Sequence, residues 1–207
     1  MKKYSIGLGL GQNVVTPIPP IFPQNRSDCV NLREPRCTDA ILDLMEAERV
    51  ENWCGLKIGQ VLFDSTTDDW SINKSVFASK LYGISNLLYI ITDGTGNKFG
   101  AFVSKPFHQQ SAWVRDEDAF IFMLKYKLSQ GLKPIEITMN GHEHAFYVFG
   151  NDEDELCAFA FGEILVYKKD FRNKSCCIPD YTDNPPYVLL PTDRVFYAYR
   201  ICVVKMI

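Results

Sequence analysis

The 207-residue sequence predicts a mainly β fold, a sandwich of two antiparallel β-sheets accompanied by two helices. Three observations carry that prediction. Fourteen Phe and ten Tyr sit in alternating segments beside β-branched residues, a composition suited to pleated, half-buried surfaces. Strand patterns follow one another from residue 87 onward without an intervening helix, which fits antiparallel pairing and not a doubly wound α/β fold. Finally, 46% hydrophobic and 23% charged residues describe a chain that buries a core of its own.

The elements follow in order. Tyr4, Ile6, Leu8 and Leu10 alternate with Ser5, Gly7, Gly9 and Gly11, a period-two pattern able to add as a strand. Pro17, Pro19, Pro20 and Pro23 then impose an extended path to Pro35, so residues 1–38 form a Gly/Pro-rich N-terminal arm ahead of a domain at 39–207. Thr38 is an N-cap candidate, and Ile41, Leu42, Met45 and Trp53 give an apolar stripe ending at Gly55, which predicts a helix over 39–53. Val61–Phe63 is a short strand closed by the polar run 64–69. Ser71 caps a second helix with Ile72, Val76, Phe77 and Leu81 on one face, and Gly83 stops it.

Segments 87–91 and 99–103 flank Asp93-Gly94-Thr95-Gly96-Asn97, residues that tolerate positive φ, and so predict a hairpin. Further strands are expected at 119–126, 135–139, 144–149, 156–161, 164–168, 187–190 and 195–204.

Charge and cysteine usage narrow the function. A formal charge of −3 and a pI near 5.6 disfavour DNA, because nonspecific attraction to phosphate needs a basic field. No apolar run is long enough for membrane insertion. The seven cysteines are odd in number and scattered, and Tyr4–Gly11 lacks the apolar core of a signal peptide. Both features point to a reducing compartment, cytoplasmic with the nucleus as an alternative.

Several motifs suggest chemistry. Gly7-x-Gly9-x-Gly11 fails as a dinucleotide fingerprint, since Gln12 stands at the third glycine position and Pro17 breaks the helix that should follow. His142 and His144 are weak metal candidates: near a strand start, residues two apart share a side, but the only other histidine is His108. Residues 151–155 form an acidic turn without the glycine and distal Glu of a calcium loop. Cys176 and Cys177 are candidate redox thiols, because neighbouring Arg172 and Lys174 can lower a thiol pKa.

Lys168, Lys169, Arg172 and Lys174, interleaved with Tyr167 and Phe171, form the one local basic cluster, a candidate nucleic-acid or partner contact. Asp64, Asp68 and Asp69 cluster as polar turns commonly do. Neither a nucleophile elbow nor a phosphate loop is present, so no catalytic residue and no cofactor are expected.

The order of these pieces resembles the TLDc domain family over residues 39–207. The resemblance rests on Asn52-Trp53-Cys54-Gly55-Leu56-Lys57, Val61-Leu62-Phe63-Asp64-Ser65 and Asp69-Trp70-Ser71. It continues through Leu87–Ile91, Gly96-Asn97-Lys98-Phe99-Gly100-Ala101-Phe102, Asp118–Leu124 and the closing strand Phe196–Val204. At 161–165 the chain departs: Phe161-Gly162-Glu163-Ile164-Leu165 stands where the family carries a longer glycine-rich segment.

The resemblance implies the same β-sandwich, a role in protection from oxidative damage, no established catalytic site and, for some members, binding to the vacuolar proton pump. The expected function is therefore a non-enzymatic protein of the oxidative-stress response that binds a protein partner. One alternative is a DNA-binding regulator that uses the 167–174 loop with the Cys176–Cys177 pair as a switch. Another is a weak thiol- or metal-dependent enzyme.

Overall fold

The computed structural model describes residues 41–126, 135–138, 142–160, 163–177 and 195–207. The N-terminal arm, the Thr38 cap and the strand expected at 187–190 lie outside the described residues. In chain order the elements are α1 (Leu44–Cys54), β1 (Ile58–Asp64), α2 (Phe77–Leu81), β2 (Leu87–Asp93), β3 (Lys98–Val103), β4 (Trp113–Val114), β5 (Phe120–Lys125) and β6 (Ile135–Thr138). They continue with β7 (Phe146–Val148), β8 (Glu155–Phe159), β9 (Ile164–Tyr167), β10 (Cys176–Cys177) and β11 (Ala198–Met206).

Among the described residues all strand pairs are antiparallel and form two sheets. One has the order β1-β11-β2-β3-β5-β6, the other β10-β9-β8-β7-β4. The sandwich core lies between them. Tyr89 from the first sheet meets Phe146 and Phe159 of the second at 4.9 Å between ring centroids, and Phe146 stacks on Phe159 at 5.1 Å. Fully burying a large apolar side chain contributes about 1.5–3 kcal/mol, so these rings are a main source of cohesion.

The six-stranded sheet is covered on its other face as well. There Leu88, Ile90, Phe102, Phe120, Phe122, Cys202 and Val204 pack with Val50 and Trp53 of α1. Burial on both faces accounts for the unbroken apolar run of β2: Leu87, Tyr89 and Ile91 face the sandwich core, Leu88 and Ile90 face α1.

Both helices are shorter than expected. Asp43, not Thr38, caps α1 through a capping box in which Asp43 Oδ1 accepts from the Glu46 N–H at 2.8 Å and Glu46 Oε2 accepts from the Asp43 N–H at 2.9 Å. Ile41 and Leu42 therefore precede the helix, and Met45 faces solvent instead of the core. Gly55 ends α1 at φ 66°, in the left-handed region, as the sequence predicts. Ser71 does not cap α2. Its N–H and hydroxyl bind the Asp69 carboxylate, Asn73 turns the chain at φ 61°, and the helix starts only at Phe77.

The hairpin between β2 and β3 forms as expected. Asp93, buried at the turn, accepts through Oδ1 from the Thr95 N–H and hydroxyl and the Asn97 N–H, and through Oδ2 from the Asn97 amide. On β3, Gly100 lies between Ile90 and Phe122 in register. A Cβ there would stand 1.8 Å from the Tyr89 carbonyl oxygen, a backbone atom that cannot swing aside.

The β1–β11 pair is tied by Arg200, which donates through Nε and Nη2 to both oxygens of Asp64 at 3.1 and 2.5 Å. Partial burial opposes ionisation of Asp64, but Arg200 and the Thr66 N–H and hydroxyl outweigh it and hold the carboxyl below its usual range.

Gly100→Ala is expected to destabilise the chain by about 3 kcal/mol or more, since the sheet must part to admit the methyl group. Denaturant unfolding checks this; a loss below about 1 kcal/mol would mean the strands separate without strain.

Candidate functional site

The residues that the sequence singles out between 167 and 177 gather where β9 leaves the five-stranded sheet. The chain runs through a 3-10 segment, Lys169–Lys174, and returns as β10, whose Cys177 pairs with Ile164. Three contacts fix the segment. The Lys169 N–H donates to the Trp70 carbonyl at 3.2 Å, Asp170 Oδ2 accepts from the Ile72 N–H at 2.9 Å, and the Phe171 N–H donates to the Lys168 carbonyl at 2.9 Å.

Lys168 is not a surface contact. It is 1% exposed, and its ammonium donates to the carbonyls of Gly150 at 2.7 Å, Asn151 at 3.1 Å and Glu153. Burial lowers its pKa, and the carboxylates of Glu153, Asp152, Glu155 and Asp154 pull the other way. The acidic turn is therefore folded around a lysine: the Lys168 N–H donates to the Asp154 carbonyl at 2.9 Å, and Glu153 Oε1 accepts from the Gly150 N–H at 2.7 Å. Sequence reading alone treats the acidic turn and the basic cluster as two solvated loops, whereas they are one unit.

The remaining members of the cluster face outward. Arg172 lies over the Tyr197 ring at 4.6 Å, and Lys174 lies over Phe171 at 4.2 Å and Tyr167 at 6.0 Å. Lys169 and Lys174 are exposed, and Arg172 is half-buried. Neither Arg172 nor Lys174 meets a carboxylate among the described residues. Beside them Val195, Tyr197 and Tyr199 are 55%, 37% and 42% exposed, and alternate with buried Phe196 and Ala198. Within the strand expected at 195–204, the alternation of Val195-Phe196-Tyr197-Ala198-Tyr199 is the sequence signal for this outward face, although sequence reading alone does not single it out.

The thiols are placed against reactivity. Successive residues of a strand point to opposite faces, so Cys176 and Cys177 diverge. Burial raises the pKa of both, and for Cys177 the neighbouring Cys176, Asp93 and Glu163 add to the rise. The lowering expected from Arg172 and Lys174 does not prevail, because burial sets the direction of the shift.

His142 and His144 begin no strand. They lie on a 3-10 turn, where residues two apart project in different directions. His142 Nδ1 lies 3.3 Å from the Asp116 carbonyl, while His144 meets Trp113 edge-on at 5.3 Å. Among the described residues no group of three His, Cys, Asp or Glu is arranged to hold a metal. The aspartates at 64, 68 and 69 are each engaged in local structure, Asp68 with Lys80 at 2.5 Å.

Glu163, which carries no motif of its own, stands directly before β9 and is 6% exposed; burial pushes its carboxyl from 4.5 up to about 7.

A model of the family described as TLDc domain matches residues 42–187, well over half of the chain. No curated protein matches it. Among the described residues, no helix is long and apolar enough to cross a membrane.

Between pH 4.5 and about 7 the folded chain keeps a proton on Glu163 that the unfolded chain has released, so stability falls as pH rises through that window. Glu163→Gln is expected to flatten this fall: thermal melts should diverge above about pH 7, with the variant higher, relative to their spacing below pH 4.5. A constant spacing across the range would contradict the assignment.

Proposed function

Because the chain belongs to the TLDc domain family, we propose that it serves the oxidative-stress response as a binding protein without catalysis of its own, engaging a macromolecular partner through Arg172, Lys174, Tyr197 and Tyr199. One observation supports this most: two cations are held over rings at 4.6 and 4.2 Å, without carboxylates among the described residues, beside a row of exposed apolar side chains. Tyrosine and arginine are the residue types enriched at the energetic centres of interfaces, and a guanidinium held over a ring loses little freedom on docking.

The stacking contributes about 0.5–1 kcal/mol at exposed sites, so it orders the surface more than it stabilises the fold. A binding role also agrees with raised thiol pKa values, since a peroxide-reactive cysteine needs the opposite shift. The chain acts in the cytoplasm under this proposal. Following the family resemblance, a subunit of the vacuolar proton pump is the first protein partner to look for. DNA recognition by the same loop loses Lys168, its most central cation.

The test is affinity capture of the full chain from peroxide-treated cells, comparing wild type with Arg172→Glu/Lys174→Glu. A partner recovered with the wild type should fall about tenfold or more with the double variant, equivalent to about 1.4 kcal/mol, while the thermal melt stays unchanged. Equal recovery would remove this surface from the proposal.

A further inference from the structure

The chemistry of the surface restricts what can dock there. We infer that its occupant is a short acidic segment of a protein partner, its carboxylates meeting Arg172 and Lys174 and its apolar side chains lying on Val195, Tyr197 and Tyr199. The inference rests on the binding role proposed above and adds the identity of the bound chemistry.

Three features point to it. First, Val195, Tyr197 and Tyr199 are exposed while Phe196 and Ala198 between them are buried, so the row faces outward together with Arg172, which lies over Tyr197. Apolar side chains of a partner segment can lie on that row while its carboxylates reach the cations on the same side. Second, the two cations are fixed and lack a counter-charge among the described residues. Arg172 presents its remaining N–H donors from a guanidinium held over Tyr197, and a planar fork of this kind matches a carboxylate.

Third, the positive region is small and enclosed by acid. Asp170 lies within the same segment, Asp69 lies close enough to Lys169 to feel its charge, and Asp152–Glu155 wrap Lys168 next to it. A nucleic-acid duplex, with a charge about every 1.7 Å of axis, would set further phosphates against those carboxylates. A segment bearing one or two carboxylates confines its charge to the cationic region, beside Arg172 and Lys174.

The test uses fluorescence anisotropy of the full chain with a labelled peptide of Glu and Leu. Its counterparts are the same peptide with Gln in place of Glu, one with Lys in place of Glu, and a single-stranded oligothymidylate. The Glu peptide should bind most tightly, weaken about tenfold with Lys174→Gln or Arg172→Gln, and weaken further as salt rises. Lys174 is exposed, so its variant leaves the fold intact, and an unchanged melting curve checks this for both.

The inference is overturned if the Gln peptide binds as well as the Glu peptide, or if the oligothymidylate binds more tightly than either. Should partner capture depend on Arg172 and Lys174 while the Glu peptide fails to bind, the acidic-segment inference falls and the binding role stands. If capture is indifferent to both residues, the two fall together.

Discussion

Lys168 carries a positive charge into a place that water does not reach, and the carbonyls of Gly150, Asn151 and Glu153 take over the role of that water. A buried ammonium without such acceptors costs several kcal/mol, so the loop that supplies them must close whenever the lysine is inside. Closing it bends residues 150–155 into a turn whose carboxylates offset part of the desolvation. It also fixes the start of the 169–174 segment, whose Phe171 N–H donates to the Lys168 carbonyl. From that anchor Arg172 reaches Tyr197 and Lys174 reaches Phe171. The inward charge and the outward surface thus share one anchor residue.

How much of this is legible in the sequence depends on the range of the interaction. The β2–β3 hairpin is legible because its signals are local: period-two alternation, glycines at the turn and a buried Asp93 that binds its own loop. The start of α1 is misplaced because Asp43 and Glu46 cap it reciprocally, which a lone Thr38 does not match. Asn73 at positive φ shortens α2 although the apolar spacing continues through it. β4 and β10 span two residues each, too few to show any period.

The candidate site is the least legible part. Lys168 sits in a run of charges that looks solvated, and the carbonyls that bury it lie on the loop between β7 and β8, brought to it by the antiparallel pairing of β8 with β9. Cys176 and Cys177 look activated beside Arg172 and Lys174 when only sequence distance counts. In the fold the cations are drawn onto rings and burial raises both thiols. Oxidation chemistry at this pair would therefore begin from an unfavourable state.

The dependence of the surface on the buried lysine can be tested by amide hydrogen exchange on Lys168→Met, a substitution that keeps the side chain's length but removes its charge and donors. Exchange should accelerate together in residues 150–155 and 169–174, while β2 and β3 keep their protection. Protection that survives in 169–174 while 150–155 opens, or that is unchanged in both, would show that the cation–aromatic surface stands without the buried ammonium.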